Sequence, residues 1–243
     1  MIFFIAVDNL VKCKIKDDQC QKNQVQTVLK SIAKTGIPEI GVPQIDPLKL
    51  TNISVSVLNS FDITLVDGAV NGIKNCIVDK FVTNIDNGRT FMEVTCDLSI
   101  KGHYKVKSSS PVIKNFFGGQ SVHGDGNGKV KIEKMHLKLD FRFFIQKRNG
   151  EHYLNYKFDK TMYSYDIGKM SFFADNLYLG NAESSKLVTE LVNQNWRILM
   201  ESFGKSFMDK GMNFTYGFLQ KVVDTVPVRY FIEDDLSSFA EDE

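Results

Sequence analysis

Long apolar runs are missing from this sequence, and so is net charge. Beyond Met1, its longest uninterrupted apolar stretch is residues 2–7, whereas a helix that crosses a bilayer needs about 20 such residues. No segment is expected to span a membrane. The same stretch is short for the apolar core of a secretory leader, which takes about 7 to 15 residues, and no Lys or Arg precedes it. It reads either as the cut end of a signal peptide, residues 1–8, with the mature chain starting between Val7 and Asn9, or as an ordinary apolar N-terminus. A formal charge of +1, from 30 Lys and Arg against 29 Asp and Glu, supplies none of the basic field on which nucleic-acid binding draws. No nucleic-acid partner is expected.

Metal and catalytic signatures are lacking too. No C-x-x-C or Cys/His cluster occurs, which disfavours zinc, and neither metal nor cofactor is expected. The four histidines, His103, His123, His136 and His152, are scattered along the chain. Gly119-Gln120-Ser121-Val122-His123 lacks the last glycine of a nucleophile elbow. Gly124-Asp125-Gly126-Asn127-Gly128 precedes a strand pattern rather than a helix, so it reads as a turn and not a phosphate cradle. No catalytic dyad is legible, and the chain is not expected to be an enzyme.

What the 243 residues do contain is apolar material, 43% of the total, enough for a large core. No break in composition divides the interior of the chain. Residues 233–243 carry six acids and no base, leaving 30 bases against 23 acids, or +7, on the rest. That end reads as a solvated acidic tail, and residues 9–232 as one domain.

Near the start, Val25, Val28, Leu29 and Ile32 recur at helical spacing, and Pro38, Pro43 and Pro47 then stop the helix. From Leu50 the period is two: Ile53, Val55 and Val57, then Phe61, Ile63 and Leu65, alternate with polar residues. Asn149-Gly150 is a strong hairpin signal. It predicts pairs whose numbers sum to 299: Ile145 with Leu154, Phe143 with Tyr156, Phe141 with Phe158 and Leu137 with Met162 on an apolar face, Arg142 with Lys157 and Asp140 with Asp159 on a wet one. Upstream, the apolar parity switches between Ile132 and Met135, which requires one extra residue, a β-bulge, near Glu133-Lys134.

The last third changes period. Val188, Val192, Trp196, Leu199, Phe203, Phe207, Gly211, Phe214, Phe218 and Val222 recur in steps of three and four, predicting one long amphipathic helix over 183–224, with Gly204, Gly211 and Gly217 as possible kinks. A second row, Leu187, Leu191, Ile198, Phe218 and Leu219, widens the apolar face so far that the helix is expected to be largely enclosed. About 42 helical residues span ~60 Å, while a compact domain of this size is only ~45 Å across. The expected fold is α+β: an elongated single domain in which a strongly curved antiparallel sheet wraps its aromatic face around one long C-terminal helix. Such a sleeve either leaves an apolar hollow suited to a lipophilic molecule or is a solid aromatic core.

Cys13, Cys20, Cys76 and Cys96 allow three pairings. In an oxidising compartment the neighbours in sequence, Cys13 with Cys20 and Cys76 with Cys96, are the easiest to join; in a reducing one all four stay free. Asn52-Ile53-Ser54 and Asn213-Phe214-Thr215 are glycosylation sequons, of which Asn52 is favoured because Asn213 falls within the predicted helix.

The ordered set Cys13 and Cys20, Gly36-Ile37-Pro38-Glu39-Ile40, Ile45-Asp46-Pro47-Leu48, Gly102-His103-Tyr104, Gly124-Asp125-Gly126, Asn193-Gln194-Asn195-Trp196 and Val226-Pro227 resembles the insect takeout and haemolymph juvenile hormone binding protein family, from about Cys13 to Ile232. The resemblance implies a tubular lipid-binding architecture and a secreted, extracellular carrier of small hydrophobic ligands. It also implies the Cys13–Cys20 disulfide. The second bridge of hormone-carrying members, from the long helix to the sheet, has no counterpart, since this helix holds no cysteine. The chain therefore looks like a takeout-type member.

The expected function is sequestration and transport of a terpenoid, fatty acid or other long-chain lipid in an internal apolar tunnel. Leu137, Leu139, Phe141, Phe143, Tyr156 and Phe158 on the sheet and Val188, Val192, Trp196, Leu199 and Phe203 on the helix are its expected lining, with the Tyr156 hydroxyl as polar anchor. The carrier would be a monomer, with a receptor or another haemolymph protein as its protein partner. The rivals are an extracellular interaction module with a solid core, and a lipid-ester hydrolase acting through Ser121.

Overall fold

The computed structural model describes residues 11–57, 61–108 and 111–242, so the expected start of the mature chain lies outside the described residues. The first helix, α1 (Asp18–Thr35), begins where the Asp17 side chain accepts a hydrogen bond from the Cys20 amide at 2.9 Å, and the Cys13–Cys20 disulfide ties down its first turn. It ends at Gly36, whose φ of 66° and whose Cα, so close that a Cβ would meet the Val42 carbonyl oxygen at 2.4 Å, exclude other residues. The proline segment that follows is anchored by buried Asp46, whose carboxylate accepts from the backbone amides of Gly72 and Lys74.

The period-two segments are strands β1 (Leu48–Val57) and β2 (Phe61–Asn71), paired antiparallel. Next come β3 (Ile77–Asn84) and β4 (Arg89–Ser108), a hairpin whose register sets Cys76 beside Cys96, and these two form the second disulfide. A short helix, α2 (Pro111–Phe116), leads into the 27-residue β5 (Val122–Arg148), then β6 (Glu151–Tyr156), β7 (Met162–Ala174), β8 (Leu177–Leu179) and β9 (Ala182–Glu183). The helices α3 (Ser185–Gln194) and α4 (Trp196–Thr225) precede a last strand, β10 (Ala240–Asp242). Among the described residues, ten strands form one sheet, antiparallel except for β10 on β5, that runs from β1 to β9 and does not close.

The hairpin pairs Phe143 with Tyr156, Phe144 with Asn155 and Ile145 with Leu154 as expected, but only to Tyr156. There the chain makes a 3-10 turn, Phe158–Lys160, and β7 resumes with pair sums of 302: Leu139 faces Tyr163 and Leu137 faces Tyr165. The expected pairs of Phe141 with Phe158, Asp140 with Asp159 and Leu137 with Met162 are therefore wrong. An odd offset of three inverts the side-chain parity of everything after the turn, which leaves Met162 58% exposed and turns Tyr163 and Tyr165 to the core. The expected bulge is present: Lys134 adopts φ 53°, and the β4–β5 register slips between Cys96 and Leu98.

Two further expectations are corrected. The long helix is broken, but at Asn195 rather than at a glycine. Asn195 closes α3, its amide bonding the Leu191 and Val192 carbonyls, and starts α4, accepting from the Leu199 amide. Nor is the helix enclosed, since Leu187 and Ile198 are more than half exposed; the sheet edges never meet around it. The acidic end is not a solvated tail. Glu233 donates its amide to the Cys13 carbonyl, Asp234 accepts from the Ile15 amide at 2.6 Å, Leu236 is buried, and β10 pairs parallel with Ile145–Lys147. Its apolar positions, Ile232 and Leu236, dock while its acids face outward.

Candidate functional site

The concave face of the sheet is apolar along its middle. Leu137, Leu139 and Phe141 on β5 and Ile167 on β7 are buried there, with Tyr156, Tyr163 and Tyr165 packed beside them. Across from them, α4 presents Trp196, Met200, Met208, Met212 and Tyr216. Those positions, with Gly204, are steps of four, a row that winds slowly around a helix and follows a twisted sheet. At Gly204 the two surfaces approach closely: a Cβ there would meet the Tyr165 hydroxyl at 2.4 Å. Its glycine serves close approach rather than a kink.

The expected lining residues fall into three groups rather than one. Leu137, Leu139, Phe141, Tyr156, Phe158 and Trp196 share the central cluster. Phe143 belongs to one end, with Ile145, Leu154, Val228 and Leu236. Val188, Val192 and Phe203 belong to the other, with Val106, Val122 and Leu179. Leu199 is half-buried and joins none of them. The residues that sequence reasoning missed are Met200, Met208, Met212 and Tyr216 on α4 and Tyr163 and Tyr165 on β7. An unbroken row of steps of four from Trp196 was the available signal for the first set; nothing local announced the parity inversion behind the second.

Phe158 reaches Phe141 after all, by its turn rather than by a ladder: their ring centroids are 6.2 Å apart, edge to face. It also stacks on Tyr156 at 5.8 Å and on Tyr216 at 5.0 Å. Burial pushes the Tyr156 hydroxyl pKa upward, against a weak contact of 3.5 Å with the hydroxyl of fully buried Thr90. Tyr156 itself is half-buried, packed against both the central and one end cluster.

Two concavities stand out among the described residues. One, about 550 Å³, lies at the end of the molecule among polar groups including Lys12, Glu151, His152, Arg229 and Asp235. The other, about 520 Å³, lies on the seam between α4 and the start of β7, lined by Phe158, Asp159, Thr161, Tyr163, Asp209, Met212, Asn213 and Tyr216. The second adjoins the apolar face and is the candidate site. Neither is an enclosed apolar tunnel; the seam is open to solvent.

The seam has a charged lip. Asp209 accepts from the Lys205 ammonium at 2.9 and 2.6 Å and from the Tyr163 hydroxyl at 2.5 Å, which hold its pKa below the ordinary carboxylate value. Burial, reinforced by Asp209, pushes Tyr163 in the opposite direction, well above the ordinary phenol value. The histidines lie elsewhere: His103 meets Asp125 at 2.6 Å and His136 meets Glu93 at 3.2 Å, all on part-exposed strand positions. Ser121 lies in the loop before β5, where its carbonyl accepts from the Gly180 amide. Of the sequons, Asn52 stands exposed on β1 with φ 53°, and Asn213 stands exposed on α4 at the rim of the seam.

An α4 helix laid along an open, curved antiparallel sheet defines the class: an α+β protein with a long C-terminal helix on a large sheet that does not close. The family description "Haemolymph juvenile hormone binding protein (JHBP)" matches residues 2–233, and the chain belongs to that family. Its fold is similar to the crystal structure of Takeout 1 from Epiphyas postvittana, with a TM-score of 0.79 and 24% identity over 92% of this chain and 99% of that one. A weaker likeness, TM-score 0.42 at 12% identity, covers 87% of this chain and 39% of a lipopolysaccharide binding protein. Among curated proteins, none matches.

Proposed function

We propose that this protein is a secreted, non-catalytic carrier that holds a small hydrophobic ligand between α4 and the concave face of the sheet. The observation that carries the reading is the condition of that face. Tyr156, Tyr163, Tyr165, Trp196, Met200, Met208 and Tyr216 are packed against the central cluster yet each keeps accessible surface. A filled core covers such side chains, whereas a groove waiting for an apolar guest leaves them partly bare. Burying that surface at ~25 cal/mol per Å² would drive binding with few polar contacts. The flexible side chains of Met200 and Met208 suit a guest of variable shape. Membership of a hormone-binding family and two disulfides support an extracellular carrier.

One observation favours a second reading. Leu137, Leu139, Phe141 and Met212 are each 8% exposed or less, as in the solid core of an interaction module. Extraction of purified protein with organic solvent, followed by mass spectrometry, separates the two: a carrier releases stoichiometric lipid, and a solid-core module releases none.

A further inference from the structure

Strand β1 has an open backbone edge. It ends the sheet and pairs with β2, and among the described residues no backbone hydrogen bond from another segment reaches it. Its ten residues hold one charge, Lys49, and no proline. A long, charge-poor edge with free N–H and C=O groups is a template for a second copy of itself, and native proteins cover or interrupt such edges.

The interruption falls mid-strand. Asn52 has φ 53°, a left-handed conformation that asparagine tolerates better than most side chains. The β1–β2 ladder pairs Thr51 with Asp67 and Ile53 with Leu65 and skips Asn52. Strict alternation would set Asn52 on the face of Leu50; instead Leu50, Ile53 and Val55 are half-buried, while Thr51, Asn52 and Ser54 are exposed. Asn52-Ile53-Ser54 is an acceptor sequence for N-linked oligosaccharide. The other such sequence is worse placed, because Asn213 lines the 520 Å³ concavity, where an oligosaccharide would stand over the candidate site.

Resting on the secreted reading above, we infer that Asn52 carries an N-linked oligosaccharide, and that this glycan keeps the open edge of β1 from pairing with a second copy of the sheet. In the transfer, the Asn52 side-chain nitrogen bonds to C1 of an oligosaccharide carried on a polyprenyl diphosphate. The bond from C1 to the diphosphate oxygen breaks, the diphosphate leaves with that electron pair, and the amide gives up one proton. The bulky, hydrated product occupies the middle of the edge, where a second strand would have to lie.

The test is expression of the full chain behind a secretory leader in cultured mammalian cells, followed by peptide mass spectrometry of the secreted protein before and after peptide N-glycosidase F. The peptide containing Asn52 is expected to carry a glycan that the enzyme removes. Asn52→Gln, which keeps an amide but removes the acceptor, is expected to shift the protein from monomer to dimers or larger species in light scattering at matched concentration. Asn52→Lys, which puts a charge at the same point, is expected to restore the monomer. Circular dichroism checks both variants for folding; should either fail, trimming the native glycan to its first sugar with an endoglycosidase is expected to give the same shift in size. A bare Asn52 in the secreted protein, or an unglycosylated protein as monomeric as the glycoprotein, would overturn the inference and leave the carrier standing. Lipid extraction tests the carrier separately, and its failure would leave the glycan standing.

Discussion

The ring of Phe158 lies stacked on the ring of Tyr216, centroids 5.0 Å apart and planes 20° from parallel. This contact joins the 3-10 turn that resets the strand register to the helix that faces the sheet. Phe158→Ala removes it together with the contacts to Tyr156 and Phe141. Full burial of a Phe would make the loss about 3–5 kcal/mol; this one is half-buried, so about 2 kcal/mol is expected. Urea unfolding measures it, and a loss below 0.5 kcal/mol would mean that the turn is not held by α4.

Gly204→Ala sets two effects against each other. Helix propensity favours Ala by about 1 kcal/mol, while the added Cβ would sit 2.4 Å from the Tyr165 hydroxyl, an overpacking that costs about 1–3 kcal/mol. Net destabilisation is expected, relieved when Tyr165→Phe is added. A more stable single variant would show that helix and sheet do not approach as described.

Leu236→Ala separates a docked tail from a solvated one. Leu236 is 3% exposed, packed with Phe143 and Val228. Truncation there is expected to cost about 2–4 kcal/mol, against less than about 0.5 for a solvated position. The same packing decides what Phe143→Asp would do. Because Phe143 belongs to the end cluster and not the central face, that variant should loosen the tail and unfold this end rather than disturb a ligand.

Asp209 gives the acid limb of stability a local source. Lys205 and then Tyr163 hold its folded pKa below the ordinary value of about 3.9. A depressed folded pKa contributes stability that is complete above the unfolded value and is lost as pH falls through the folded one. The stability difference between the native protein and Asp209→Asn is therefore expected to be constant from pH 7 to about 5 and to shrink below pH 4. Thermal melts across that range measure it, and a difference that grows on acidification would reverse the assignment.

Much of this architecture was legible because it depends on local period and local closure. The NG turn pairs Phe143 with Tyr156 whatever surrounds it, the parity switch between Ile132 and Met135 demands its bulge, and each disulfide closes between neighbours in sequence. The rows of the helix were harder. Trp196, Met200, Met208, Met212 and Tyr216 form one apolar row and Leu187, Ile198 and Leu219 another; hydrophobicity does not say which row meets the sheet and which stays exposed.

The residue order alone determined most of the element types, though Gly124 to Gly128, read as a turn, lie inside β5; it also determined the hairpin register as far as Tyr156, the bulge at Lys134 and the resemblance carried by Asn193 to Trp196, since each follows from side-chain alternation or backbone preference within a few residues. Only the tertiary structure decided that three residues at Phe158–Lys160 invert the strand beyond them, that Ile232 and Leu236 pull an acidic end onto the molecule, and that Phe158 stacks on Tyr216. Those outcomes depend on which surfaces remain uncovered once distant segments have packed, a balance of buried area that no short window of sequence contains.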